Sequence, residues 1–172
     1  WAENAFSGRV AARFAMDHRL AHRIYAGADM FLMPSLFEPC GLSQMISLRY
    51  GTVPVVRETG GLRDTVLAYN QFNQEGNGFT FFNYNAHDML NTVRRAVRYY
   101  REQPDVWRML MARGMSGDYS WDRSAGEYLD LYRLLLAAPA PKAQTVPSAS
   151  SDPQPLAPAP YPPEDDEDEE DD

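Results

Sequence analysis

A single cysteine, Cys40, stands in this sequence. That excludes an intrachain disulfide and any cysteine-based zinc cluster within the chain, and it agrees with a reducing, cytosolic setting. Histidine is almost as sparse, with only His18, His22 and His87. No stretch approaches the ~18 consecutive apolar residues of a membrane span, and no signal-peptide pattern opens the chain. An initiator methionine is lacking as well. The opening Trp1-Ala2-Glu3-Asn4 reads as a break inside a longer protein, whose preceding part is free to carry a leader. Neither a nucleic-acid nor a membrane partner is expected.

The charge that is present is unevenly placed. The 172 residues carry 16 basic and 24 acidic groups, a net of −8. Residues 137–172 hold ten of those acidic groups against one base, Lys142. What remains is 14 acidic residues against 15 arginines, so the acidity says nothing about a ligand of the globular part. Nine of the 13 prolines also fall within 139–163, and residues 164–172 are an unbroken run of Glu and Asp. Such a composition buries too little apolar surface to offset chain entropy. Residues 137–172 are therefore expected to form a disordered Pro/Ala-rich and acidic tail, either an interaction arm or a solubilising extension. Residues 1–136 are long enough for one domain with its own core.

That body shows no internal repeat and alternates strand-like with helix-like stretches. Residues 10–14 read as a short strand, and 17–27 have helical spacing with Leu20, Ile24 and Ala28 on one side. Met30–Met33 is a compact apolar run ending at Pro34-Ser35, the mark of a buried strand reaching a loop. A helix over 43–50 stops at Gly51. Residues 53–56 form another buried strand, followed by the Thr59-Gly60-Gly61 turn and a helix over 62–69. A third strand is expected at 78–82, then helices over 86–101, 105–113 and 124–136. Buried strands alternating with helices indicate parallel βαβ units. The expected fold is α/β, a Rossmann-like doubly wound parallel sheet, with so few strands that an edge lacks its neighbours.

In open sheets of this kind ligands bind beyond the carboxyl ends of the strands. Two loops occupy that position. The first is Pro34-Ser35-Leu36-Phe37-Glu38-Pro39-Cys40-Gly41-Leu42, leading into the helix from Ser43. Gly41 lets the backbone approach a ligand closely, and N–H groups of Cys40 and Gly41 can donate to sugar hydroxyls while Glu38 accepts from one. An equally good reading has Glu38 and Ser43 capping the helix. The second loop is Glu58-Thr59-Gly60-Gly61-Leu62-Arg63-Asp64-Thr65. Its paired glycines at a helix mouth offer free N–H groups to a phosphate, and Thr59 adds a hydroxyl; the alternative is an ordinary strand-to-helix turn. The pairing of the two loops, one βα unit apart, favours a sugar diphosphate.

Residues 21–66, AHRIYAGADMFLMPSLFEPCGLSQMISLRYGTVPVVRETGGLRDTV, are very similar to the donor-site core of bacterial glycogen synthases and plant starch synthases. The likeness continues through GNGFTF (76–81), NAHDML (85–90) and DYSWDRSAGEYLDLY (118–132), covering roughly residues 9–135. The resemblance implies the GT-B fold, two Rossmann-like domains with the active site between them, of which this chain holds an incomplete C-terminal half. It implies transfer of glucose from ADP-glucose (UDP-glucose in some relatives) to the non-reducing end of an α-1,4-glucan with retention of configuration. No metal and no other cofactor are implied, and the setting is cytoplasmic, or plastidic in a plant. Carried over by position, Glu38 matches the catalytic-site carboxylate. Cys40, Gly41 and Leu42 match the loop whose backbone binds glucose hydroxyls, and Thr59, Gly60 and Gly61 the diphosphate-binding turn. The second Glu of the wider retaining GT-B pattern, eight residues after the first, is here Ile46, as is common in glycogen synthases.

The resemblance also implies that further cationic side chains, and an acceptor domain with a Lys-x-Gly-Gly-Leu loop, precede residue 1. Partners are then ADP-glucose, the α-1,4-glucan and that N-terminal domain; the alternative is a non-catalytic module binding nucleotide or glucan. Other residues have plainer readings. His22 is a helix-surface or packing residue, Asp29 a structural acceptor, Asp64 a partner for helix N–H groups and Trp121 a packing residue before the last helix. Tyr84, Tyr99 and Tyr100 are able to contact a glucan, but aromatics beside helical arginines read better as core edges.

Overall fold

The computed structural model describes residues 1–137. Two compact units are distinguished, Trp1–Tyr128 and a second beginning at Leu129. The order of elements is α1 (Ala2–Ala5), α2 (His18–Gly27), β1 (Met30–Met33), α3 (Ser43–Arg49), β2 (Val53–Arg57), α4 (Gly60–Thr65), β3 (Phe79–Phe81), α5 (Ala86–Glu102), α6 (Pro104–Ser116) and α7 (Trp121–Ala137). In the second unit the described residues are 129–137, all helical. The expected tail lies outside the described residues except for Ala137, which closes α7.

The three strands form one parallel sheet in the order β1-β2-β3. Met30 lies opposite Val53, and Val55 opposite Phe79. Side chains alternate across a strand, and β2 shows it. Val53 and Val55 join Phe79, Tyr69, Ala96 and Tyr99 of α5, and Trp107 and Leu110 of α6, in the main core. Val56 instead packs with Leu62 and Val66, and with the partly buried Met33. Helices thus cover both faces, the doubly wound arrangement expected of these apolar strands. Phe79 and Trp107 stack with ring centroids 6.1 Å apart, and Tyr69 meets Tyr99 edge-on at 5.2 Å. Asp17 caps α2 by accepting from Leu20 N–H at 2.9 Å, and Asn85 caps α5 by accepting from Asp88 N–H at 2.8 Å. Because the strands are parallel, all three carboxyl ends open on one edge. No described helix is long and apolar enough to cross a membrane.

Four expected elements differ, among them the helix expected over 105–113, which runs on to Ser116. Residues 10–14 form no strand: no described strand pairs with them, and Ala12 N–H donates to the Glu3 carboxylate at 2.7 Å instead. The helix expected over 62–69 begins at Gly60 and stops at Thr65. Beyond it, the Leu67 carbonyl accepts from the N–H groups of Asn77 and Gly78, and Ala68 bridges Gly78. Those long-range bonds displace the i-to-i−4 bonds that would continue the helix. The last helix starts at Trp121, three residues early, where the Ser120 hydroxyl accepts from Arg123 N–H at 3.4 Å.

Candidate functional site

The loop from Pro34 to Leu42 leaves β1 and the turn at Glu58-Thr59 leaves β2, so both stand at the carboxyl edge of the sheet. Backbone-to-backbone contact holds them together. Gly61 N–H donates to the Glu38 carbonyl at 3.0 Å. A Cβ built on Gly60 would overlap the Glu38 carbonyl oxygen, and one on Gly61 would overlap that of Cys40. Only glycine permits that approach, and Gly60 additionally has a φ of +42°.

Further contacts fix the first loop at both ends. Arg57, the last residue of β2, donates to the Leu36 carbonyl at 2.6 Å and to the Phe82 carbonyl at 3.2 Å, with its guanidinium 5.6 Å from the centroid of Tyr84. It ties the segment after β1 to the segment after β3. At the far end Gln44 donates to the carbonyls of Cys40 and Gly41, at 3.2 and 2.8 Å. Gly41 adopts a φ of +74°, the left-handed region that favours glycine.

Several groups singled out in the sequence are left unbonded. Within the described residues none of the N–H groups of Cys40, Gly41, Leu42 and Gly60 has a hydrogen-bond acceptor. The Glu38 carboxylate and the Thr59 hydroxyl likewise make no hydrogen bond there, although Thr59 is the N-cap of α4. The capping reading of the first loop fails: α3 starts from Leu42 with no side-chain cap. Asp64 makes no bond to helix N–H groups among the described residues. One expectation of the second loop changes, because the Gly61 N–H is taken by Glu38 and only that of Gly60 is free.

Cys40, Leu42, Gly61 and Thr65 line a cleft of about 660 Å³ together with Tyr119 and Arg123. Glu38, Gly41, Thr59 and Gly60 do not line it. Burial raises the Tyr119 hydroxyl above its ordinary pKa, opposed by its hydrogen bond with Asn77 and the charge of Arg123. Among the described residues no group of three or more His, Cys, Asp or Glu is placed to hold a metal ion.

The remaining residues divide. His22 is exposed on α2, its Nδ1 3.2 Å from the Tyr50 hydroxyl. Asp29 accepts from the Tyr100 hydroxyl, raising that pKa. Tyr99 is buried in the core, while Tyr84 is exposed. Trp121, expected to pack, is 87% exposed at the start of α7. Sequence reasoning missed Gln44, Arg57, Thr65 and Asn77. The one available signal was Gln44, a polar residue sharing a helical face with the buried Ser47 and Leu48.

Residues 10–108 match the family described as "Glycosyl transferases group 1". Over 132 residues the chain is 63% identical to a glycogen synthase of Geobacillus thermodenitrificans (strain NG80-2), covering 77% of this chain and 27% of that protein. Over 136 residues it is 54% identical to a glycogen synthase of Bacillus cereus (strain Q1), covering 79% and 28%. Its structure is similar to the catalytic domain of starch synthase IV from Arabidopsis thaliana bound to ADP and acarbose. That match has a TM-score of 0.71 at 38% identity, over 79% of this chain and 29% of the other. Sucrose-phosphate synthase from Thermosynechococcus elongatus matches with a TM-score of 0.58 at 25% identity, over 78% and 32%. The chain spans about a quarter of the length of the curated relatives it matches. The fold is part of the GT-B architecture of these neighbours. With more than half its length inside the family match, the chain belongs to the glycosyl transferases of group 1.

Proposed function

We propose that this chain is the donor-binding part of a retaining glucosyltransferase that moves glucose from ADP-glucose to the non-reducing end of an α-1,4-glucan. The observation that carries the reading is the backbone contact of Glu38 and Cys40 with Gly60 and Gly61, which joins the two loops. Relatives named glycogen synthase, and a starch synthase catalytic domain bound to ADP and acarbose, support the choice of donor and acceptor.

In this reading the free N–H groups of Cys40, Gly41 and Leu42 donate to glucose hydroxyls. The Gly60 N–H and the Thr59 hydroxyl donate to the diphosphate. Bond cleavage develops positive charge on the sugar and negative charge on the departing diphosphate. The Glu38 carboxylate, with no hydrogen-bond partner among the described residues, stabilises the first charge; donors fixed before the reaction stabilise the second. Helix polarity adds little, since α4 has six residues. Neither a metal nor another cofactor enters the proposal, in keeping with the family resemblance. A cytoplasmic setting is proposed on the same ground.

The test needs the complete polypeptide that contains this chain. Labelled glucose from ADP-glucose should enter glycogen, and Glu38→Ala should lower turnover by at least about a hundredfold, the scale of losing one transition-state contact. Wild-type turnover in that variant would remove Glu38 from the mechanism. Absence of transfer by the unsubstituted protein would leave a binding module.

A further inference from the structure

Gln44 is fully buried on the first turn of α3, at 0% exposure. Its Nε2 faces three acceptors: the Cys40 carbonyl at 3.2 Å, the Gly41 carbonyl at 2.8 Å and the Thr65 Oγ1 at 3.0 Å. The Thr65 hydroxyl uses its own proton on the Gly61 carbonyl at 2.6 Å, so it can only accept from Gln44. A continuous relay therefore runs from Cys40 and Gly41, through Gln44 and Thr65, to Gly61. The amide cannot be turned over, because Oε1 would then oppose two carbonyl oxygens.

One atom is left out. The Oε1 of Gln44 is buried with no hydrogen-bond partner among the described residues. An orphaned acceptor in the interior is destabilising, so the packing of α3 does not account for a glutamine here. Room for it is made by Gly41: a Cβ on that residue would lie 2.5 Å from Oε1. What the side chain achieves is connection between the two loops.

We propose that Gln44 is a positioning residue that locks the Glu38–Leu42 loop to the Thr59-Gly60-Gly61 turn and so sets the spacing between sugar-facing and diphosphate-facing donors. The inference rests on the proposed function for what the two loops hold, while the lock itself is measurable without any donor.

Amide hydrogen exchange, read by NMR on the 172-residue chain, tests it through the Gly61 N–H, which is bonded to the Glu38 carbonyl. Gln44→Met, close in shape but without the amide, should speed Gly61 exchange about tenfold relative to the β2 amides, the effect of losing roughly one hydrogen bond. Thr65→Val should do the same from the other end. Thr65→Ser, which keeps the hydroxyl, should match the wild type, and the Gln44→Met/Thr65→Val double variant should exceed neither single by much. Equal acceleration of Gly61 and β2 in both single variants would show general destabilisation and overturn the proposal, as would Thr65→Ser behaving like Thr65→Val. If Gln44→Met fails to fold, the Thr65 pair decides. Loss of the glucosyltransferase reading with these exchange results intact would leave the lock standing.

Discussion

At the scale of single residues, Gly41 carries two separable demands. Its φ of +74° disfavours any side chain, and its missing Cβ makes room for the Gln44 amide. Gly51 provides the comparison. Its φ is +80°, but a Cβ there meets the sulfur of Met115 at 3.1 Å, on a flexible side chain that is partly exposed. Gly51→Ala should therefore cost the conformational penalty alone, about 1–2 kcal/mol. Gly41→Ala should cost at least about 1 kcal/mol more, because the buried amide, with its two N–H groups shared among three acceptors, cannot move aside. Denaturant midpoints of the two variants measure the difference. Equal losses would mean that Gln44 yields freely, contrary to its place in the relay.

At the scale of elements, the N-terminus of α5 shows how a local signal supports the core. Asn85 is extended, at φ −148° and ψ 157°, and its side chain accepts from Asp88 N–H. The helix it starts delivers Ala96 and Tyr99 to the main cluster. Asn85→Ala should lower stability by about 1 kcal/mol. Gln103, the N-cap of α6, makes no side-chain cap bond, so Gln103→Ala should change it by less than about 0.5 kcal/mol. Thermal unfolding of both variants separates them, and a cost at Gln103 equal to that at Asn85 would contradict the capping account.

Elements are also where sequence and structure agree or part. β1 lies at Met30–Met33 as expected, because four apolar residues between a helix end and Pro34 leave no other place for a strand. The helix after Gly60 was misread because Leu67, Ala68 and Tyr69 look helical locally, yet their backbone bonds go to residues 77 and 78. The candidate site was legible as two glycine-bearing loops, since their residue types declare the backbone conformations they need. Their fastening was not. Arg57 and Gln44 act on backbone carbonyls, and a carbonyl leaves no trace in a sequence. For the same reason Gly61 looked like an open donor when the Glu38 carbonyl occupies it.

At the scale of the whole molecule the question is where positive charge comes from. The body has 15 arginines, but many are committed to other contacts. Arg57 holds the Leu36 carbonyl, Arg49 that of Met115 and Arg113 those of Gln74 and Gly76. Among the described residues lining the cleft, Arg123 is the one basic side chain, and it is paired with Glu127 at 3.2 Å. The two donors assigned to the diphosphate, the Thr59 hydroxyl and the Gly60 N–H, are both neutral, and neither residue lines that cleft. Neutral hydrogen bonds exchanged with water contribute about 1 kcal/mol each, so a few of them give binding no tighter than about 1 mM. Calorimetry of ADP-glucose with the 172-residue chain should therefore show a Kd weaker than about 1 mM and no transfer to glycogen. The family resemblance implies that the missing attraction comes from cationic side chains outside this chain. A micromolar Kd would show instead that the two loops suffice.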